Sequence, residues 1–177
     1  MKRKTTMLLA PVVLSLLMFG CPNKVATTLI DYPISLGSSA DMLSRAFYIT
    51  SYPGTSLSRV TLYFCATSTE AYQVLLEAMD STFDGTPIGQ ASATFSGSTG
   101  TSDFKATTFD FGDEAVTKNH VVAFKLSLVS GGSGTPYFCN HGDSTGTYLV
   151  QETEDSTPPL SVDRWSWAMP IKVEGLE

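Results

Sequence analysis

The chain has 177 residues, with 11 basic and 17 acidic side chains and a net charge of −6. That balance excludes the usual nucleic-acid-binding composition, because attraction to phosphates dominates such affinity, and it equally disfavours docking on anionic lipid. The length suits one domain with a substantial core, and the wealth of Ser, Thr and Gly suits strand faces and loops better than helices.

In chain order, Met1-Lys-Arg-Lys4 forms a basic start, Met7 to Phe19 is apolar apart from Ser15, and the stretch closes on Gly20-Cys21. This is the layout of a secretory signal peptide, too short for the roughly 20 residues a membrane-spanning helix needs. Within it, Leu17-Met-Phe-Gly-Cys21 resembles a bacterial lipoprotein signal. The resemblance implies that Cys21 is acylated, that cleavage falls just before it, and that the membrane is a partner through the lipid anchor. Each buried methylene of such an anchor adds about 0.8 kcal/mol. Met18 stands where that family prefers Leu, and Pro22 disfavours ordinary cleavage after Cys21; ordinary secretion or an uncleaved anchor is the alternative. Residue 22 is not Asp, which under the same resemblance points to the outer membrane or cell surface rather than the inner membrane. Removing Lys2, Arg3 and Lys4 from the 11 basic residues leaves 8 against 17 acidic, a net of −9.

Residues 21–42 read as a lipidated N-terminus and tether, punctuated by Pro22, Pro33 and Gly37. Residues 43–177 read as one folded domain whose apolar pattern has a period of two. Phe47 and Ile49 share a face; so do Val60, Leu62 and Phe64, and then Tyr72, Val74, Leu76 and Ala78. His120, Val122, Phe124, Leu126 and Leu128 make another stripe, and Trp165, Trp167, Met169, Ile171 and Val173 the last. Phe104 and Phe109 fall on opposite parity, which predicts a bulge near Ala106-Thr107-Thr108. Pro170 predicts an edge position or a bulge in the final strand. Tyr52-Pro-Gly54, Asp84-Gly-Thr-Pro87, Ser96-Gly-Ser-Thr-Gly100 and Ser130-Gly-Gly-Ser-Gly134 supply turns. The expectation is all-β: a two-sheet antiparallel β-sandwich, jelly-roll-like, of about nine strands.

With Cys21 assigned to lipid, Cys65 and Cys139 form an even pair in an oxidising compartment, where a disulfide is the default. Each ends a Tyr-Phe-Cys tripeptide. If Phe64 and Phe138 face the core, both sulfurs lie on the opposite face, where neighbouring strands could join them. Two free buried thiols are the alternative.

The order of strands and turns is similar to β-sandwich accessory modules of secreted bacterial proteins. The likeness rests on Arg45-Ala-Phe47, Leu57-Ser-Arg-Val-Thr-Leu62, Gly85-Thr-Pro-Ile-Gly89 and Trp167-Ala-Met-Pro-Ile-Lys-Val173. The resemblance implies adhesion, glycan binding or display and carries no catalytic residues with it.

Cys139, His141 and Asp143 alternate and are all metal-ligand types. Gly142-Asp143 reads more readily as the opening of a turn, and no metal is assigned. Asp80 and Asp84 in one loop and Asp110, Asp113 and Glu114 in another lack the D-x-D-x-D-G ladder of a calcium loop. A thiol nucleophile pairing Cys139 with His120 or His141 has no visible orienting group. No hydrolase or nucleotide-binding motif is present. Among aromatics, Trp165 and Trp167 share the stripe of Ile171 and read as core, as Tyr52, Tyr63 and Tyr72 also can. Tyr148, beside Gly146, is the candidate ligand-binding residue. The expected function is therefore a lipid-anchored cell-envelope module with a binding or structural role, no catalytic residues and no cofactor. Its partner beyond the membrane is carbohydrate or another envelope protein. A glycan-binding accessory protein and a secreted hydrolase with an unidentified site are the alternatives.

Overall fold

The computed structural model describes residues 24–32, 38–41, 45–98, 100, 102–140, 150–153 and 170–177. They form eleven strands: β1 Thr27–Tyr32, β2 Ser38–Asp41, β3 Arg45–Ile49, β4 Ser56–Ala66, β5 Ala71–Asp80, β6 Pro87–Ser96, β7 Lys105–Ala115, β8 Val122–Ser130, β9 Pro136–Asn140, β10 Val150–Thr153 and β11 Ile171–Gly175. Two of them, β2 and β10, are only four residues long. The other nine match the number of substantial strands that the alternating stripes predict.

The strands make two antiparallel sheets. One runs β10-β3-β8-β5-β6; the other runs β1-β11-β4-β9-β2, with β7 on the free side of β4. The long β4 organises the second sheet. One of its edges pairs with β7 along almost its whole length, while the other is shared between β11, at Arg59 to Thr61, and β9, at Phe64 to Ala66. The two-sheet antiparallel sandwich read from the period is the fold observed.

The inward rows meet in one core. Phe47, Ile49, Tyr72, Val74, Leu76, Phe124 and Leu126 from the first sheet face Val60, Leu62, Phe64, Phe109, Phe138, Ile171 and Val173 from the second, all essentially inaccessible. Phe64 stacks on Phe95 at 5.0 Å and meets Phe109 edge-on at 6.1 Å, and Phe47 stacks on Phe124 at 4.9 Å. Offset aromatic pairs of this kind add to the gain from area burial alone. A smaller cluster of Ala46, Met79, Phe83 and Ala123, with Tyr48 packed against it, lies apart from that core. Ala46 and Ala123 alternate with the core residues Phe47 and Phe124, so the cluster sits on the outer side of the first sheet. Tyr48 meets Phe83, from the loop after β5, edge-on at 5.9 Å.

Several local expectations are corrected. The phase shift in β7 falls not at 106–108, where pairing with β4 runs unbroken from Lys105 to Asp110, but beyond it, between the pairs Arg59–Asp110 and Leu57–Glu114. Phe104 lies before the strand, so its parity does not matter. Pro170 also precedes its strand; β11 sits between β1 and β4 rather than at an edge. His120 lies in the turn before β8 and is exposed. Part of the stretch read as a tether belongs to the sheet: β1 pairs with β11, and β2 with β9.

The disulfide is corrected too. Cys65 and Cys139 are both free and both buried. Their parity is as expected, since Phe64 and Phe138 are in the core. Their register is not. Cys65 lies opposite Tyr137 and Phe64 opposite Phe138, so Cys139 is displaced from Cys65 by two residues along β9. Diagonal neighbours stand about 7–8 Å apart, beyond the roughly 4.4–6.8 Å a disulfide spans between Cα atoms.

Candidate functional site

The break in pairing between β4 and β7 builds an open polar concavity on the second sheet. One residue of β4, Ser58, separates the flanking pairs on one side and three of β7, Phe111, Gly112 and Asp113, on the other. The surplus is taken up at Gly112 and Asp113, whose φ angles of 69° and 68° are both left-handed. Glycine adopts that conformation freely, whereas for aspartate it is uncommon. The alternation of β4 slips at the same place. Leu57 and Val60 both enter the core, and Ser58 and Arg59 between them both reach the pocket.

Ala26, Ser58, Arg59, Asp110, Gly112 and Asp113 line an open pocket of about 190 Å3. The buried Ser58 hydroxyl donates to Asp113 Oδ1. The Gly112 N–H donates to Asp110 Oδ1 at 3.0 Å, which ties the turn to the carboxylate. Arg59 Nε lies 2.9 Å from Glu174 Oε2, while Lys172 Nζ approaches the other oxygen of the same carboxylate at 3.0 Å. The Arg59 side chain is half exposed.

From the pocket a polar row continues over the outer face of the sheet. Thr61 and Tyr63 follow Arg59 on β4, Thr108 and Asp110 stand opposite on β7, and Lys172 and Glu174 on β11. The hydroxyls of Thr61 and Thr108 meet at 2.9 Å, and Tyr63 is half-buried. Hydroxyls, carboxylates and a guanidinium thus sit side by side with an aromatic ring. No protein-family model matches this chain, and no curated protein matches it. Its all-β sandwich is similar to a solved structure described as carbohydrate-binding module CBM36 in complex with calcium and xylotriose. The two are 15% identical, with a TM-score of 0.37 over 66% of this chain and 90% of that one.

The residues singled out from the sequence fare differently. Cys21, His141, Asp143, Tyr148, Trp165 and Trp167 lie outside the described residues. Tyr52 is fully buried and donates its hydroxyl to the Ser56 carbonyl at 2.8 Å; burial pushes its pKa well above the usual phenol value. Tyr72 is also buried, stacks on Phe95 at 5.2 Å and donates to the Gly134 carbonyl at 3.1 Å. Both are core tyrosines, and Tyr63 alone of the three reaches the outer face. Burial pushes the Cys65 thiol up to about 11, with a smaller contribution from the charge of Asp103. Burial likewise pushes Cys139 up to about 11, with Cys65 adding to it. A thiol held protonated in this way is a poor nucleophile.

Among the described residues no group of three or more His, Cys, Asp or Glu is placed to hold a metal ion, and no helix is long and apolar enough to cross a membrane. Asp110 and Asp113 share the pocket, but Asp80 ends β5 in the other sheet and Asp84 lies in the loop that follows it. Sequence reasoning missed Ser58 and Arg59 because strict alternation puts them on opposite faces. The Gly112-Asp113 dipeptide, a common left-handed turn pair, is the signal that could have located the pocket.

Proposed function

We propose that the protein is a non-catalytic glycan-binding module, exported from a bacterial cell and held to its envelope by acyl chains on Cys21. The outer face of the six-stranded sheet carries this reading. Arg59, Thr61, Tyr63, Thr108 and Asp110 set hydrogen-bond donors, acceptors and one aromatic ring on a rigid sheet, the combination that recognises a hydroxyl-rich, weakly apolar ligand. The anchor is supported by the basic start, the short apolar run and the small residue before Cys21. Tyr148 belongs to the same proposal as a further ligand-binding residue.

Two experiments test it. Cells grown with a labelled fatty acid should incorporate label into the protein, and Cys21→Ser should abolish it; an unlabelled, cytosolic chain would remove the envelope reading. The purified protein should be retained by at least one immobilised polysaccharide, less strongly after Tyr63→Ala or Tyr148→Ala. Passage through a broad panel without retention would remove the glycan reading.

A further inference from the structure

We infer that the pocket at the β4–β7 bulge is a subsite for one ring of a neutral sugar, held between Arg59 and the carboxylates of Asp110 and Asp113. This rests on the glycan-binding reading and names the place and the ligand class. At about 190 Å3 the pocket is smaller than the roughly 300 Å3 at which sites for drug-sized molecules begin, a size for a single ring and not a chain lying lengthwise. Its polar groups are only partly engaged. Among the described residues Arg59 makes one contact, through Nε to Glu174, which leaves its terminal nitrogens as donors. Asp110 and Asp113 each use Oδ1 on their own chain, with Gly112 and Ser58, which leaves Oδ2 of each as an acceptor. A pair of neighbouring hydroxyls can donate to a carboxylate and accept from a guanidinium at once. Ala26 supplies an apolar wall.

The charges select against acidic sugars. Arg59 and Lys172 both lean on Glu174, so Asp110 and Asp113 set the sign of the pocket, and a carboxylate or sulfate on the ligand would be repelled. The site is also prebuilt. Ser58 and Gly112 hold the two aspartates through their own hydrogen bonds, so little ordering is left for binding to do.

The test is a titration of the isotope-labelled, naturally processed protein, followed by amide NMR shifts. The probes are hexasaccharides of β-1,4-linked glucose, xylose, mannose and N-acetylglucosamine, with hexagalacturonate as the acidic control. At least one neutral probe should shift the amides of Ser58, Arg59, Asp110, Gly112 and Asp113, and hexagalacturonate should not. Arg59→Ala and Asp110→Asn should each weaken binding about tenfold, the effect of losing one charged hydrogen-bonding group, with spectra elsewhere unchanged. Arg59→Lys, which keeps charge without the planar fork, should weaken it as well. Shifts confined to another face, with affinity untouched by these variants, would overturn the subsite while leaving glycan binding intact. Hexagalacturonate binding in the pocket would overturn the neutral class, and silence with every neutral probe would overturn both the subsite and the reading beneath it.

Discussion

The buried hydroxyl of Ser58 donates to the carboxylate of Asp113, a residue held at a φ of 68° near the end of β7. A left-handed aspartate costs on the order of 1–3 kcal/mol when nothing supports it, and here the Ser58 bond and the neighbouring Gly112 do. Asp113→Asn keeps both an acceptor and a side chain that tolerates this backbone, so it should leave stability within about 0.5 kcal/mol. Asp113→Val removes the acceptor and places a branched side chain where it fits worst, and should cost about 2 kcal/mol or more. Urea unfolding midpoints compare the two; equal midpoints would show that the bulge is not supported as described.

Phe64 joins the two sheets. It is inaccessible, stacked on Phe95 and edge-on to Phe109. Phe64→Ala should lower stability by about 3–5 kcal/mol and Phe64→Leu by roughly 1.5 kcal/mol. A loss from alanine as small as that from leucine would mean the core collapses around the cavity.

The thiols of Cys65 and Cys139 should not react with a disulfide reagent in the folded protein at pH 8 and should react fully once it is unfolded. Their folded pKa values, near 11, lie above the ordinary 9.0. Below pH 9 both states keep the proton, and the thiols have no effect on the pH dependence. From pH 9 to about 11 only the unfolded chain releases it, so stability falls as pH rises. Tyr52, also raised, adds loss of the same sign above its ordinary 10.0. Thermal midpoints measured from pH 8 to 11 should decline, and less steeply in a Cys65→Ala, Cys139→Ala double variant.

Glu70 clips two loops together. Its Oε2 accepts from the Ser133 N–H at 2.6 Å, from the Ser133 hydroxyl at 3.2 Å and from the Ser68 hydroxyl at 3.1 Å. The Ser133 backbone bond, then the two hydroxyls, lower its pKa. The contribution is therefore present above the ordinary 4.5 and lost as pH falls through the lower folded value. Glu70→Ala should speed amide exchange at Ser133 at neutral pH without altering exchange in β4 or β8. Unchanged exchange at Ser133 would show that the loops hold without it.

The alternating stripes of β3, β4, β5 and β8 are legible in the amino-acid string because a strand with one buried face repeats every two residues. That local period marks most of the residues that enter the core from these strands, though not Leu57, and wrongly adds the exposed His120; it puts Cys65 and Cys139 on one face. It also marks Tyr52-Pro-Gly54 as a turn, where Gly54 is packed so closely that a Cβ would stand 2.5 Å from the Leu176 carbonyl oxygen.

Register is a different kind of information, since it depends on which residues of distant segments meet. Only the assembled sheets put Tyr137 rather than Cys139 opposite Cys65 and drew Thr27–Tyr32 against β11. Only they turned two surplus residues of β7 into a pocket that gathers Ser58, Arg59, Asp110 and Asp113. Alternation is written in each strand by itself, whereas pairing and its slips are settled by the competition of all strands for one shared core.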